Sequence, residues 1–527
     1  MIQFTIFIVG CLILTFFLIG VMKYIGAILG LGITLGWIVA GALSLLLKVP
    51  FVIENGGYFW LGSAVVFMLL LQFTPATRRF LISCFKIQTH GSANFAGEHI
   101  VKEYTTKKGL PMGITESGKK FRVMTHALTC APTRSGKGVS AIIPFLLEHP
   151  GSVIVNDIKG ENYAVTHRQR EALGSHVFLI DPFGITGGRK NRFNWLDMID
   201  VNNPDCVGQA SSLADMLVAN EKSAADPHFD DSAKTLLQGL ILLAAADPDA
   251  SVRNIVSVRK MITLPENDFL ALMQGAIGHP AAFEVISRCA SKIVGTPERE
   301  RGSIISTAQR HTAFLDDPRI AETLSGSDFD LSRIKQDNMS VYLVFPGDKI
   351  RPYRSFIRGF FGLAMSAVTA TQQRPSENIV FVYDEFGQLG YMADVEDKIS
   401  IIASYGAFFW IFVQDLSQLK NIYHKWQTFF ANATRQFFGC NDFDTAKYIS
   451  DSLGQYTEKV DRLNTGAQSD SFIARNLMNP DEVMRLRKEL CIVFVQGEPP
   501  ALLKKIEYYT DKDYRGKFDD NPFITNN

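Results

Sequence analysis

The stretch APTRSGKGVS, residues 131–140, resembles the phosphate-binding loop G-x-x-x-x-G-K-[ST] but departs from it at both ends. Ala131 stands at the position of the first glycine, and Gly138 stands where a Mg²⁺-binding hydroxyl is usual. The segment HALTCA (126–131) has the pattern of a strand before the loop, and VSAIIPFLLEH (139–149) that of a helix after it. In this context backbone N–H groups converge on phosphate oxygens at the helix N-terminus. The sequence therefore predicts a nucleotide-phosphate site.

Gly136 allows close backbone approach to a phosphate, and Lys137 supplies the positive charge for the β- and γ-phosphates. Without a hydroxyl at Gly138, Mg²⁺ needs another ligand or a water molecule. A chance Gly-Lys pair in an ordinary loop is the alternative interpretation. The residues predicted to bind the nucleotide are Thr133, Arg134, Ser135, Gly136, Lys137, Gly138, Val139 and Ser140.

Two further segments place polar groups at strand ends. NIVFVYDEFGQLG (378–390) ends a buried strand with Asp384, predicted to hold Mg²⁺, and Glu385, predicted to activate water. FFWIFVQDLSQL (408–419) ends the next strand with Gln414, predicted to sense the γ-phosphate, although a strand-capping glutamine is the alternative. The predicted catalytic residues are Lys137, Glu385 and Gln414, with Asp384 as the metal ligand.

Short apolar runs that end in turn or polar residues recur along the chain, and they are typical of parallel strands that are buried on both faces. They are 126–131, 152–157, 176–181, 340–345, 378–385, 408–415, 435–440 and 491–496. Between about 196 and 312 the apolar spacing is helical instead. We therefore expect an α/β fold in which residues 81–195 and 313–527 form the nucleotide-binding domain and residues 196–312 an inserted all-α domain.

The first 80 residues contain three long uncharged segments, at 2–21, 25–47 and 58–73, which predict a transmembrane anchor of two to three helices. A cleaved signal peptide is the alternative for the first segment. Arg78, Arg79 and Lys86 follow the last segment and predict that the remainder lies in the cytoplasm. The predicted localisation is a multi-pass protein of the bacterial inner membrane.

Composition excludes little beyond small disulfide or zinc frameworks. The chain has 53 basic and 53 acidic side chains and no net charge, so the whole-chain balance favours no particular partner. Its seven cysteines are scattered and include no C-x-x-C pair, which indicates reduced thiols.

Taken together, the motifs resemble those of the type IV secretion coupling proteins, the TraG/TraD-like ATPases of conjugation and effector export. The matching segments are collinear and include HGSANFA (90–96), the loop through KGE (131–161), DPHFDDSAKTLLQGLI (226–241), VYDEFGQLG (382–390) and VQDLSQL (413–419). Members of this family often read G-K-G in the loop, so the resemblance implies an active ATPase with Gly138 as a family trait.

The resemblance further implies a RecA-like P-loop ATPase domain similar to that of the DNA pump FtsK, with ATP and Mg²⁺ as cofactors. It implies a homo-hexamer that carries nucleotide between subunits. The implied partners are type IV secretion channel subunits, the system's other ATPases, and either a relaxase–DNA complex, with single-stranded DNA, or effector proteins.

Several alternatives stay open at this stage. The chain could be an FtsK-like DNA translocase, which a basic winged domain would favour, or a non-hydrolysing docking receptor that uses nucleotide only for assembly. Asp157, Lys159 and Glu161 fit either the nucleotide side or a salt-bridged turn. Subunit-interface ATPases need an arginine from a neighbouring copy. The candidates for this arginine finger are Arg435, Arg301 and Arg310.

Overall fold

The computed structural model describes residues 90–218, 227–460 and 471–523. The three predicted membrane segments lie outside the described residues. The chain divides into two compact units, one of residues 1–92 and 455–475, and the other of residues 93–454 and 476–527. Each is described by itself.

The second unit is built on a large mixed sheet. Its strands are β1 (Leu110–Ile114), β2 (Lys120–Val123), β3 (His126–Cys130), β4 (Val153–Asp157), β5 (His176–Ile180), β6 (Met339–Val344), β7 (Ile379–Tyr383), β8 (Ala407–Val413), β9 (Ala433–Phe437), β12 (Leu490–Phe494) and β13 (Ala501–Lys504). These eleven strands lie in the order β2-β1-β13-β12-β9-β3-β8-β7-β4-β6-β5. All pairs from β9 to β5 are parallel, and all pairs from β2 to β9 are antiparallel. In the first unit, β10 (Gln455–Val460) pairs with β11 (Ser471–Asn476) in a separate sheet.

The helices fall into three groups along the chain. The first group is α1 (Glu98–Glu103), α2 (Ile143–Glu148) and α3 (Glu161–Ala172). Between β5 and β6 lie α4 (Cys206–Leu217), α5 (Pro227–Ala245), α6 (Ile255–Ile262), α7 (Glu266–Ala276), α8 (Val285–Gly295), α9 (Glu298–Thr312) and α10 (Pro318–Thr323). The last group is α11 (Gly347–Ile350), α12 (Arg354–Thr369), α13 (Ala393–Lys398), α14 (Leu416–Ile422), α15 (Gln427–Asn432), α16 (Phe443–Leu453) and α17 (Pro480–Met484).

Alternate residues of the central strands face two separate hydrophobic clusters. In β4, Val153 and Val155 belong to one cluster and Ile154 to the other, and all three are fully buried. Because both faces are covered, most positions of such a strand are apolar, which accounts for the apolar runs in the sequence. The predicted α/β fold is confirmed, and each of the eight predicted strands forms.

The antiparallel part of the sheet was not predicted, and the run 491–496, which was expected to be a parallel strand, forms β12 and pairs antiparallel with both β9 and β13. β2 is the edge strand and carries the partly exposed Lys120 and Arg122, β13 alternates between buried and exposed residues, and β1 is buried but contains Pro111 and Gly113. A strand of only four or five residues that alternates in burial, or that contains proline and glycine, does not stand out from a loop in the sequence. The predicted domain boundaries at 80, 195 and 312 stay predictions.

The structure contradicts the predicted localisation in the inner membrane. Among the described residues, no helix is both long enough and apolar enough to cross a bilayer. The longest of them, α5, has 19 residues and carries Asp230, Asp231 and Lys234 in its first half. Three charged side chains in this length are incompatible with the hydrocarbon core.

Two buried glycines, Gly359 and Gly362, let α12 pack closely against Trp195 and against Met216 of α4. A Cβ atom added at Gly359 would lie 2.5 Å from the ring of Trp195, which is itself fully buried. Since the indole has no room to move, the small residue is required by packing.

We therefore expect Gly359→Ala to lower the free energy of unfolding by about 1–3 kcal/mol through overpacking. Gly208→Ala is the matched control, because Gly208 lies in α4 and no atom of the described residues comes within 4 Å of an added Cβ. This control should raise stability by roughly 0.5–1 kcal/mol. Urea unfolding followed by circular dichroism measures both changes, and an unchanged midpoint for Gly359→Ala would contradict the packing argument.

Candidate active site

Three neighbouring strands end at one edge of the sheet and bring the predicted site residues together. β8 lies between β3 and β7, with Cys130 level with Val413 and Tyr383 level with Ile411. The phosphate-loop residues follow β3, Gln414 follows β8, and Asp384 follows β7. Because the carboxyl ends of parallel strands share an edge, residues far apart in the chain become neighbours.

The loop after β3 has the backbone of a phosphate cradle. Arg134 (φ 63°) and Gly136 (φ 88°) both adopt left-handed conformations. The Ser135 N–H donates to the Pro132 carbonyl at 3.0 Å, and the Ser140 N–H donates to the Gly136 carbonyl at 2.8 Å. Alternating backbone conformations of this kind turn successive N–H groups towards one concave side, which suits an anion.

The two departures from the motif have different structural settings. Ala131 keeps a negative φ and donates its N–H to the Val413 carbonyl at 2.8 Å, so this position continues the strand and needs no glycine. Gly138 begins a π-helical turn that precedes α2. A Cβ added at Gly138 would lie 3.9 Å from Oε1 of Glu161, so a carboxylate lies near the position where a hydroxyl is usual.

Polar contacts connect the four predicted catalytic and metal-binding side chains. Lys137 Nζ lies 2.7 Å from Oδ1 of Asp384 and also donates to Oε1 of Glu385. Gln414 Nε2 donates to Oε2 of Glu385 at 2.9 Å, and Thr133 Oγ1 donates to Oε1 of Gln414 at 3.3 Å. Burial alone would lower the pKa of Lys137, but the charges of Asp384 and Glu385 outweigh it and raise this pKa. The lysine is therefore held as a cation.

Glu385 has a left-handed backbone (φ 57°, ψ 50°), which costs a non-glycine residue about 1–3 kcal/mol. The surrounding contacts hold this geometry. Gln414 binds the Glu385 carboxylate, and Asn156 Nδ2 donates to the Asp384 carbonyl at 2.8 Å. Strain that is maintained by neighbouring groups is typical of functional sites, and here it turns two successive carboxylates towards the same lysine.

A third carboxylate lies beside this pair. Asp157 ends β4, the strand next to β7, where Asn156 is level with Tyr383. Asp157 is 1% exposed, and its Oδ2 accepts the Tyr163 N–H at 2.9 Å, whereas its Oδ1 has no hydrogen-bond partner among the described residues. The sequence left Asp157 open between a nucleotide role and a salt-bridged turn, and the geometry favours the former.

The residues present fit a magnesium ion. Mg²⁺ is usually held by one or two protein carboxylates, with substrate phosphates and waters completing an octahedron. Asp384 follows β7 and Asp157 ends the adjacent β4, and Oδ1 of Asp157 is a buried oxygen that accepts no hydrogen bond from the part of the chain that the structure describes. Either carboxylate, with Glu161 near Gly138, would supply oxygen in place of the absent hydroxyl.

The three arginine candidates lie apart from this network and are engaged within their own chain. Arg435 Nη1 donates to the Tyr448 hydroxyl at 3.0 Å, and its guanidinium lies 4.8 Å from the Phe494 ring centroid. Arg301 is buried and lies 3.2 Å from Glu266. Arg310 has a side chain that is 69% exposed and lies 3.5 Å from Asp230.

Comparison with known proteins decides the family. The family described as type IV secretory system conjugative DNA transfer matches residues 87–526 of this chain. The chain belongs to this family. It is 29% identical to the conjugal transfer protein TraG of Escherichia coli over 432 residues, which cover 73% of this chain and 67% of TraG. It is 27% identical to VirD4 of Rhizobium radiobacter over 496 residues, or 88% of this chain and 70% of VirD4.

The fold is also that of a solved relative. The plasmid coupling protein TrwB, solved in complex with ADP and Mg²⁺, superposes with a TM-score of 0.61 over 79% of this chain and 94% of TrwB, at 16% identity. The predicted resemblance to type IV secretion coupling proteins is confirmed, and the protein is a coupling protein of type IV secretion.

Protonation of Asp157 should make the stability of this coupling protein depend on pH. Burial raises the pKa of the Asp157 carboxyl to about 7, and the charges of Asp384 and Glu161 add to the rise against the hydrogen bond from Tyr163. In the unfolded chain this pKa is about 3.9, so between about pH 4 and pH 7 only the folded state keeps the proton. The contribution of this group to stability therefore falls as pH rises through that window.

We expect Asp157→Asn in metal-free buffer to raise the thermal unfolding midpoint by ~5 °C at pH 8, because the amide carries no charge. The gain should shrink steadily towards pH 5, where the native carboxyl is protonated. Asp268→Asn is the control, since Asp268 is exposed in the first turn of α7. A gain that does not vary with pH would contradict the assignment of a buried proton to Asp157.

Proposed function

We propose that this coupling protein hydrolyses ATP at the strand-end site and uses the free energy to deliver DNA to a type IV secretion channel. One observation carries the proposal. Lys137, Asp384, Glu385 and Gln414 follow three adjacent parallel strands and contact one another beside a phosphate-type loop. A lysine, two carboxylates and an amide in this arrangement provide the parts that phosphoryl transfer to water requires.

Each side chain has a distinct role in this proposal. Lys137 moves onto the β- and γ-phosphate oxygens, since its Nζ is held as a cation within reach of the loop. Glu385 orients the attacking water and accepts its proton, and the hydrogen bond from Gln414 keeps one carboxylate oxygen in place. Gln414 also contacts Thr133 of the loop, so it links the γ-phosphate region to the water site.

Asp384, with Asp157 beside it, would hold Mg²⁺, which when bound supplies charge neutralisation for the phosphate oxygens. The remaining loop residues at 133–140 bind phosphate through their N–H groups. As the loop carries no hydroxyl at Gly138, most of the metal's protein ligands would come from strands β4 and β7.

DNA is the favoured cargo, because the family is described by conjugative DNA transfer and TraG by conjugal transfer. In this proposal a relaxase–DNA complex or an effector protein docks on the coupling protein, which contacts channel subunits and the other secretion ATPases. Assembly as a homo-hexamer belongs to the same proposal. Arg310, whose side chain is exposed, is then the favoured arginine to reach the site of a neighbouring copy, ahead of the buried Arg301 and of Arg435.

ATP turnover by the full chain, with and without single-stranded DNA, tests the proposal. We expect Lys137→Ala to reduce kcat/KM by at least about 100-fold, through lost phosphate binding, and Glu385→Gln to reduce kcat to a similar degree with ATP still bound. Lys119→Ala and Glu116→Gln, both in the exposed turn between β1 and β2, are matched controls and should retain wild-type rates.

Each outcome distinguishes the alternatives. Turnover that single-stranded DNA accelerates supports the DNA motor, whereas turnover that DNA leaves unchanged favours protein cargo. Preference for double-stranded DNA would favour an FtsK-like translocase. Tight ATP binding without turnover, in wild type and variants alike, would replace the motor with a docking receptor.

A further inference from the structure

A segment remote in sequence lies across the helix that follows the phosphate loop. We call residues 505–523 the strap. Ile506, Tyr508 and Tyr514 of the strap are buried in one cluster with Ile143 and Leu147 of α2. A strap with this much buried apolar surface is fixed to the helix whose N-terminus carries the loop.

Polar contacts hold the strap along its length. Lys120 Nζ lies 2.8 Å from Oδ2 of Asp513 and 4.0 Å from the Tyr514 ring centroid. Arg168 Nε donates to Oδ1 of Asp519 at 2.7 Å. Asn521 Nδ2 donates to Oε1 of Glu161 at 2.6 Å, which is the oxygen that faces Gly138. The strap therefore contacts the surroundings of the loop as well as its helix.

At its first residue the strap contacts the loop backbone itself. Lys505 Nζ donates to the carbonyl oxygen of Ser135 at 3.0 Å and lies 4.4 Å from the Phe438 ring centroid. The lysine side chain is partly buried, and it leaves the sheet directly after β13. An ammonium group fixed between a ring face and a carbonyl has little freedom to turn elsewhere.

This contact determines where the next N–H points. In a trans peptide the C=O and N–H bonds are antiparallel within one plane, and the described residues contain no cis peptide. Holding the Ser135 oxygen towards Lys505 therefore directs the Gly136 N–H to the opposite side. A cation on the carbonyl also polarises the peptide and makes its N–H a stronger donor.

We propose that Lys505 is a positioning residue of the nucleotide site, which holds the Ser135–Gly136 peptide with its N–H directed at a phosphate of the nucleotide. This inference rests on the proposed nucleotide-binding function. Lys505 acts through the loop backbone and not by touching the reacting atoms, so it affects ground-state binding of nucleotide more than the chemical step.

The test uses the full chain and measures ADP affinity with a fluorescent ADP analogue, together with kcat and KM for ATP. We expect Lys505→Met to weaken ADP binding about tenfold and to raise KM by a similar factor, as for the loss of one charge-assisted hydrogen bond. The rate at saturating ATP should stay within about twofold of wild type. Lys505→Arg, which keeps a cationic donor, should restore most of the affinity.

One control and one alternative variant complete the test. Lys504→Met alters the preceding residue of β13, whose side chain is exposed, and should bind ADP as wild type does. Lys505→Gln keeps a polar group at the partly buried position, so it tests the same loss if Lys505→Met does not fold. Without nucleotide, the thermal midpoints of Lys505→Met and Lys505→Gln should match that of the wild type. The increase in midpoint on adding ADP should be smaller in these two variants than in the wild type.

The outcomes separate this inference from the function on which it rests. Wild-type affinity in Lys505→Met or Lys505→Gln would overturn the role of Lys505 alone and leave nucleotide binding intact. If the thermal midpoint without nucleotide fell in Lys505→Met and Lys505→Gln and was not restored in Lys505→Arg, Lys505 would be a purely structural residue. If the wild-type protein bound no ADP, both the proposed function and this inference would fall.

Discussion

The ion pairing of Lys137 with Asp384 and Glu385 is the contact on which the site depends. It links the loop after β3 to the end of β7 across the intervening β8. Removing Lys137 would leave two partly buried carboxylates without their cation, which is far more costly than the loss of an exposed pair. The interaction is available because parallel strands in register end at one level, so the sheet determines the chemistry at its edge.

The charge balance of this cluster favours a metal-bound nucleotide. One lysine faces two carboxylates, with Asp157 beside them, so the site carries an excess of negative groups. A nucleotide triphosphate adds further negative charge and would be repelled without a counter-ion. A divalent cation held by these carboxylates would reduce that repulsion. It would also favour the ionised form of Asp157, whose pKa is raised chiefly by burial.

The sequence predicted the parts of this protein that follow a local pattern. Buried parallel strands appear as continuous apolar runs, and Lys137, Asp384, Glu385 and Gln414 each follow such a run, so their convergence could be expected. The same pattern missed β1, β2 and β13, because β2 and β13 alternate between buried and exposed residues and β1 contains Pro111 and Gly113. The localisation inferred from apolar segments at 2–73 found no support among the described helices, where charged side chains interrupt α5.

The remaining contacts could not be read from any local pattern because they join distant parts of the chain. Lys505 reaches Ser135 across 370 positions, and Asn521 reaches Glu161 across 360. A lysine that follows a short strand, as Lys505 follows β13, has no sequence pattern that indicates a buried contact. Its position is determined by the antiparallel pairing of β13 with β12 and β1. This explains why the antiparallel edge belongs to the functional unit. It brings a second lysine to the phosphate loop, with Lys137 on the side of the carboxylates and Lys505 on a backbone carbonyl. The loop is therefore fixed at the Lys137 side chain and at the Ser135 carbonyl. Its N–H groups are oriented before the nucleotide binds, which lowers the entropic cost of binding.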